Sequence, residues 1–310
     1  MTRIGDTTLD VFPLCLGGNV FGWTADEKQS FAVLDAYAAA GGNFIDTADA
    51  YSAWVPGHAG GESETILGRW MAARGNRDRM VIATKVGKLP GLAGLSATTI
   101  RAAAEGSLRR LRTDRIDLYY AHADDAATPL AETLGALDAL VREGKVRHIA
   151  ASNYTAARLA EALALSKGAG LARFVALQPH YNLAHRGDYE GALAELCVRE
   201  RLACFPYYAL ASGFLAGKYR PGANVASQRA AGATKYLDDR GLRILAALDA
   251  IAAQRGTTVA AAALAWLLTR PAVAAPIASA RTPEQLTELL PLASLRLDAD
   301  ERRRLDDASA

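Results

Sequence analysis

The chain has 310 residues, enough for one large barrel or two smaller domains, and its 51% hydrophobic content allows a sizeable core. The 35 basic and 33 acidic residues leave a net charge of only +2, which offers no field to attract nucleic acid or an anionic membrane. No apolar run reaches the ~20 residues of a membrane-spanning helix, and Met1-Thr2-Arg3-Ile4-Gly5-Asp6 meets an acid too early for an expected secretory leader. Cys15, Cys197 and Cys204 lack metal-ligand spacing and lie in apolar surroundings, as core residues in a reducing compartment do. The expectation is a soluble cytoplasmic protein.

Residues 1–12 alternate around Gly5-Asp6, which predicts a short hairpin. Leu14-Cys15-Leu16 then predicts a buried strand running into the Gly17-Gly18 loop. Glu27–Ala40 reads as a helix with Phe31, Leu34 and Ala38 on one face, stopped by Gly41-Gly42. Asn43–Asp46 is the second strand. The alternation continues with a helix over Glu62–Arg74, a strand over Met80–Lys85, a helix over Thr98–Leu111 and a strand over Ile116–Ala121. A helix over Pro129–Glu143 and a strand over His148–Ser152 follow, then a helix over Thr155–Lys167 and a strand over Phe174–Gln178. Tyr189–Glu200 reads as a helix and Leu202–Tyr207 as the seventh strand. Beyond an irregular stretch, Ala211–Arg240, come helices over Gly241–Arg255 and Thr258–Thr269. The last strand is Val273–Ile277, with helices over Pro283–Leu289 and near Asp298–Asp306. Trp70 and Trp266 fall within helical patterns and are expected in the core.

Eight short apolar strands separated by helices imply a parallel sheet, since each crossover returns the chain to the same end. Eight strands also close such a sheet into a (β/α)8 TIM barrel, here with a short N-terminal hairpin and extra helices after strand seven and at the C-terminus. The rival, an open doubly wound sheet, requires a dinucleotide fingerprint after its first strand. Gly17-Gly18-Asn19-Val20-Phe21-Gly22 lacks that spacing. The expectation is one barrel domain over residues 1–310.

Chemistry in such barrels gathers at the C-terminal ends of the strands. Strand two ends in Asp46 and presents Tyr51; strand three ends in Lys85 and strand four in His122. Strands five, six and seven end in Ser152-Asn153, Gln178 and Tyr207. An acid, a phenol, an amine and an imidazole on three successive strands converge on one mouth. A phenol with its usual pKa of about 10 is a weak acid. An ammonium beside it is expected to lower that value, with Asp46 keeping Lys85 charged and oriented. His122 is placed to donate to a carbonyl oxygen or to shuttle the proton, so Tyr51 and His122 would hold a developing alkoxide. The foursome includes no Ser or Cys nucleophile with a base and no metal-ligand cluster. The electron pair must come from a cofactor, and nicotinamide hydride is the natural source.

These residues resemble the aldo-keto reductase superfamily. The likeness spans nearly the whole chain. It rests on Gly42-Asn43-Phe44-Ile45-Asp46-Thr47-Ala48-Asp49-Ala50-Tyr51, on Thr84-Lys85 and on Tyr119-Tyr120-Ala121-His122. It continues through Gly144–Asn153, Gln178-Pro179-His180-Tyr181-Asn182-Leu183, Gly213–Tyr219 and Pro276–Leu286. The resemblance implies NAD(P)H-dependent reduction of aldehydes and ketones, with Asp46, Tyr51, Lys85 and His122 as the catalytic tetrad and Tyr51 as general acid. It implies that Ser152, Asn153 and Gln178 bind the nicotinamide carboxamide and that Tyr207 stacks on the ring. Asn19 and Val20 match contacts near the ribose. Leu210, Ser212 and Lys218 match the pyrophosphate wrap, and Ser279 is a further cofactor-binding candidate. Arg281 matches the position meeting a 2′-phosphate, which favours NADPH because a guanidinium fork suits phosphate. Gln285 and Glu288 face the adenosine, and Arg229 is a further phosphate candidate.

The chain departs from the family pattern at Tyr208 and Ala209, at Ser279 in place of a usual glycine, and at Leu289 where asparagine is common. Phe21, Trp23, Trp54 and the glycine-rich loop 53–61 are the substrate-pocket candidates. The partner is a small carbonyl compound, with neither nucleic acid nor membrane, and the sequence does not give the oligomeric state. Two alternatives stay open: a sugar or alcohol dehydrogenase working in the oxidative direction, and a nicotinamide-sensing regulatory subunit similar to potassium-channel β-subunits.

Overall fold

The structure, a computed structural model, describes residues 1–223 and 225–310. Eight parallel strands form one sheet: Cys15–Gly17, Phe44–Asp46, Val81–Val86, Ile116–Ala121, Val146–Ser152, Phe174–Gln178, Ala203–Cys204 and Ile277–Ala278. Around the sheet the strands follow in chain order, and the eighth pairs with the first. The remaining gap is closed by backbone hydrogen bonds. The Cys204 N–H donates to Ala272 O (2.7 Å), Ala274 N–H to Cys204 O (3.0 Å) and Ile277 N–H to Pro206 O (2.9 Å). The chain is therefore the expected (β/α)8 barrel.

Two apolar layers account for this closure. Inside the barrel, Cys15, Phe44, Ala83, Tyr120, Ala176 and Phe205 pack into one cluster. Between strands and helices a second cluster contains Leu34, Tyr37, Leu67, Trp70, Leu264 and Trp266. Each large aliphatic or aromatic side chain fully buried there contributes ~1.5–3 kcal/mol. Trp70 and Trp266 are fully buried as expected, their indole N–H groups donating to Asp35 and Asp306. The three cysteines are buried and free.

The N-terminal hairpin pairs Thr2–Arg3 with Asp10–Val11. It supplies Ile4, Leu9 and Val11 to the interior cluster and covers the N-terminal ends of the strands. Gly5 is required there. Its φ is +48°, and a Cβ would lie 2.8 Å from Arg201 O at the entry to strand seven.

The observed boundaries depart from the sequence reading where proline or glycine intervenes. Strand seven is only Ala203–Cys204, and strand eight only Ile277–Ala278 with a lone bridge at Val273. Pro206 and Pro276 have no N–H to extend either ladder. The sixth crossover helix starts at Ala192 after Gly191 at φ +92°, not at Tyr189. The stretch read as irregular contains a 3-10 segment, Ala211–Ala216, and a short helix, Ala230–Thr234. A hairpin that was not expected, Lys88–Leu89 with Leu92–Ala93, stands on strand three. Among the described residues no single helix is long and apolar enough to cross a membrane.

Candidate active site

Asp46 ends strand two between Gly17 and Ala83 of the flanking strands. Lys85 lies within strand three and is fully buried. Its Nζ donates to Asp46 Oδ2 (2.6 Å), Thr47 O (2.7 Å) and Tyr51 OH (2.9 Å). The three N–H groups of an ammonium thus meet three oxygens. The other Asp46 oxygen accepts from Gln178 Nε2 at 2.9 Å, so strands two, three and six share one buried polar network. Satisfying both partners is what makes a buried ion pair tolerable.

Tyr51 follows a turn in which its N–H donates to Ala48 O. The next residue, Ser52, has φ +73° and donates its hydroxyl to Phe21 O at 3.1 Å. This tie aims the phenol back over the barrel. His122 follows strand four, its ring centroid 6.2 Å from that of Tyr51. Trp54 stands edge-on to Tyr51 at 6.1 Å and to Trp23 at 5.5 Å, forming an aromatic wall. Phe21 is wholly buried in the core, and neither it nor Trp23 lines the cavity; of the three aromatic pocket candidates Trp54 does, and Trp23 packs behind it.

The electrostatics correct one expectation. Burial, and then the Asp46 carboxylate, push the Tyr51 phenol above its ordinary range. The ammonium of Lys85 was expected to lower it, but Asp46 already occupies that charge at 2.6 Å. The phenol therefore holds its proton at neutral pH. His122 is pulled down to about 2 by burial and by Lys85 and Lys88, which leaves a neutral imidazole. Its Nδ1 is buried without a hydrogen-bond partner.

Above this floor opens a cavity of about 810 Å³. Asp46, Tyr51 and His122 line it; Lys85 lies behind them. All the residues matched to the cofactor line it as well. Near the floor are Asn19, Val20, Ser152, Asn153, Gln178 and Tyr207. Away from it are Leu210, Ser212, Lys218, Ser279 and Arg281 on the segments after strands seven and eight, and Gln285 and Glu288 on the helix Pro283–Leu289. Asn153 adopts φ +57°, accepts from Tyr207 OH at 2.7 Å and donates to Ser152 Oγ at 3.0 Å. Ser279 donates its hydroxyl to Asn19 Oδ1 at 2.6 Å, and its oxygen occupies the space where a Cβ on Gly17 would stand.

Sequence reasoning did not include Thr24, Lys88 and Gln228 in this lining. For Lys88 a signal existed: Gly87-Lys88-Leu89-Pro90-Gly91 carries the Pro-Gly pair of a tight turn. Arg229 also lines the cavity, over the Trp23 ring at 5.7 Å, with Nη2 buried and unpartnered. Positive φ values at Tyr208, Ala211 and Ser212 cluster on the same side. Such conformations cost on the order of 1–3 kcal/mol each and persist where surrounding structure enforces them.

Behind Tyr207, His180 stacks on it at 5.4 Å and on His185 at 3.8 Å, while His185 Nε2 lies 2.7 Å from Asp188. His180, His185 and Asp188 bring three potential metal-ligand atoms together. However, the imidazoles are 10° from parallel, so their in-plane lone pairs do not converge on one point. The group reads as a stacked column.

The comparisons agree with this geometry. The sequence profile of the Aldo/keto reductase family matches residues 13–310. The chain is 35% identical to an uncharacterized oxidoreductase, YrpG, of Bacillus subtilis, over 99% of this chain and 94% of the relative. It is 34% identical to norsolorinic acid reductase stcV of Emericella nidulans, over 96% of this chain and 78% of that protein. Protein tas of Escherichia coli is 34% identical over 96% of this chain and 94% of its own length. With the barrel, the strand-end residues and these matches in hand, the chain belongs to the Aldo/keto reductase family of oxidoreductases.

Proposed function

We propose that the protein is an NADPH-dependent reductase of aldehydes and ketones in which Tyr51 is the general acid. The observation that carries this reading is the contact of Tyr51 OH with the buried Lys85 ammonium at 2.9 Å, on the floor of a cavity of about 810 Å³. The cavity chemistry fits that cofactor. One end offers amide and hydroxyl groups and the Tyr207 ring. The other carries Lys218, Arg229 and Arg281, with a buried guanidinium nitrogen lacking a partner.

Ser152, Asn153 and Gln178 would hold the carboxamide, Tyr207 would back the nicotinamide, and Lys218 and Arg281 would meet the phosphates. When bound, NADPH supplies a hydride to the carbonyl carbon. Tyr51 gives its proton to the carbonyl oxygen, and the phenolate left behind is stabilised by Lys85 Nζ. Asp46 keeps that ammonium oriented. Neutral His122 donates a hydrogen bond to the same oxygen, so charge develops against two donors fixed in advance. Trp54, edge-on to Tyr51, offers an apolar face beside the reacting carbonyl.

The test is NADPH consumption by the purified protein with 4-nitrobenzaldehyde and a broad panel of aldehydes and ketones. Turnover with a product alcohol is expected. Tight NADPH binding without turnover of any carbonyl would overturn the reading in favour of a nicotinamide sensor.

A further inference from the structure

We infer that Lys88 is a specificity-determining residue that selects carbonyl substrates carrying a carboxylate. The inference rests on the reductase reading of the same cavity and concerns the substrate alone.

Lys88 lines the cavity together with Tyr51, Trp54 and His122. It is exposed there, and among the described residues neither an ion pair nor a side-chain hydrogen bond engages it. Partial desolvation, and then the like charge of Lys85, lower its pKa, and no acid opposes them. Its charge is also felt by the His122 ring. Among the described residues it shares the lack of an ion pair with the other cations of the cavity, Lys218, Arg229 and Arg281, but it alone of the four acts on His122.

The other cations of the cavity do not duplicate it. Lys218 and Arg229 come from the loop after strand seven and Arg281 from the loop after strand eight. Strand three, which carries Lys88, lies four places from strand seven in the eight-stranded barrel, across the mouth. Lys88 is therefore beside the reacting carbonyl and away from the phosphate-binding end.

Its position is built rather than incidental. Gly87 at φ +113° directly follows Lys85–Val86, the chain reverses at Pro90-Gly91, and Lys88 pairs with Ala93 across the hairpin. On one side the Leu89 side chain fills the space over Gly60, packing the hairpin against the loop that presents Trp54. On the other, Leu95 N–H donates to Asp125 Oδ2 at 2.8 Å and Thr133 hydroxyl to Leu95 O at 3.0 Å. The backbone of Lys88 is thus fixed between Trp54 and His122, and an ammonium there complements an anion one side-chain length from the carbonyl. A positive charge that is partly desolvated attracts a carboxylate more strongly than one in open water.

The experiment compares 2-, 3- and 4-carboxybenzaldehyde with their methyl esters, which keep the ring and aldehyde but mask the charge. The wild-type protein should show a higher kcat/KM for at least one acid than for its ester, with the preference falling as salt is added. Lys88→Met should lower kcat/KM for that acid about tenfold, and Lys88→Glu further, with the ester changed less than about twofold. Esters reduced normally, with an acid-to-ester ratio untouched by Lys88→Met, would overturn this inference and leave the reductase reading standing. Absence of turnover with every compound would remove both.

Discussion

Lys85 and Asp46 form an ion pair of 2.6 Å that is closed to solvent and is the axis of the site. Removing one partner strands a charge in the barrel interior. Lys85→Met is expected to destabilise the fold by ~3–5 kcal/mol, because Asp46 is left buried without its counter-charge. Turnover should fall at least ~100-fold as the phenolate of Tyr51 loses its stabiliser. Urea denaturation and steady-state rates measure the two losses separately.

Tyr51→Phe removes one hydroxyl and leaves the Lys85–Asp46 pair intact. Turnover is expected to drop by ~100- to 10,000-fold while NADPH affinity stays within about threefold. Fluorescence titration with NADPH beside the rate assay checks this, and a normal rate in the variant would remove Tyr51 as the acid.

His122, drawn down to about 2, does not protonate over the working range. The kcat profile should therefore show no inflection from His122 between about pH 5 and 9, and His122→Gln should lower the rate without moving any limb of the profile. The same shift affects stability. The unfolded imidazole takes up a proton below 6.5 and the folded one does not, so this group's stabilisation is present above 6.5 and is lost as pH falls towards 2.

Asp49 behaves in the opposite sense. It is fully buried, neither carboxyl oxygen has a partner, and burial, then Glu64, raise it from 3.8 to about 7. The folded state keeps a proton that the unfolded chain releases. Its contribution is complete below 3.8 and disappears as pH rises through about 7. Asp49→Asn should thus gain stability over the wild type at about pH 8 relative to about pH 5.5, by about 2 kcal/mol. Denaturant midpoints at the two pH values are the measurement.

Arg281→Ala should weaken NADPH about tenfold and NADH by less than about twofold. Equal losses for the two cofactors, measured by fluorescence titration, would take the 2′-phosphate role away from Arg281.

The alternation of apolar runs and helical stripes determines eight strands and hence a barrel, and the ends of those runs name Asp46, Lys85, His122, Ser152, Gln178 and Tyr207. Period and strand-end position are local properties, so one sequence carries them. The sign of the shift at Tyr51 is not local: it depends on how deeply the phenol is buried and on Asp46 taking up the charge of Lys85. Nor was the Lys88 hairpin resolved, because two-residue strands have too little pattern to announce themselves and are held by Gly60 and Asp125 from other loops. The sequence by itself determined the barrel and which strand-end groups gather at its mouth. The tertiary structure alone decided the direction of their pKa shifts and brought Lys88 to the cavity beside His122, since desolvation and charge pairing arise only when distant segments meet.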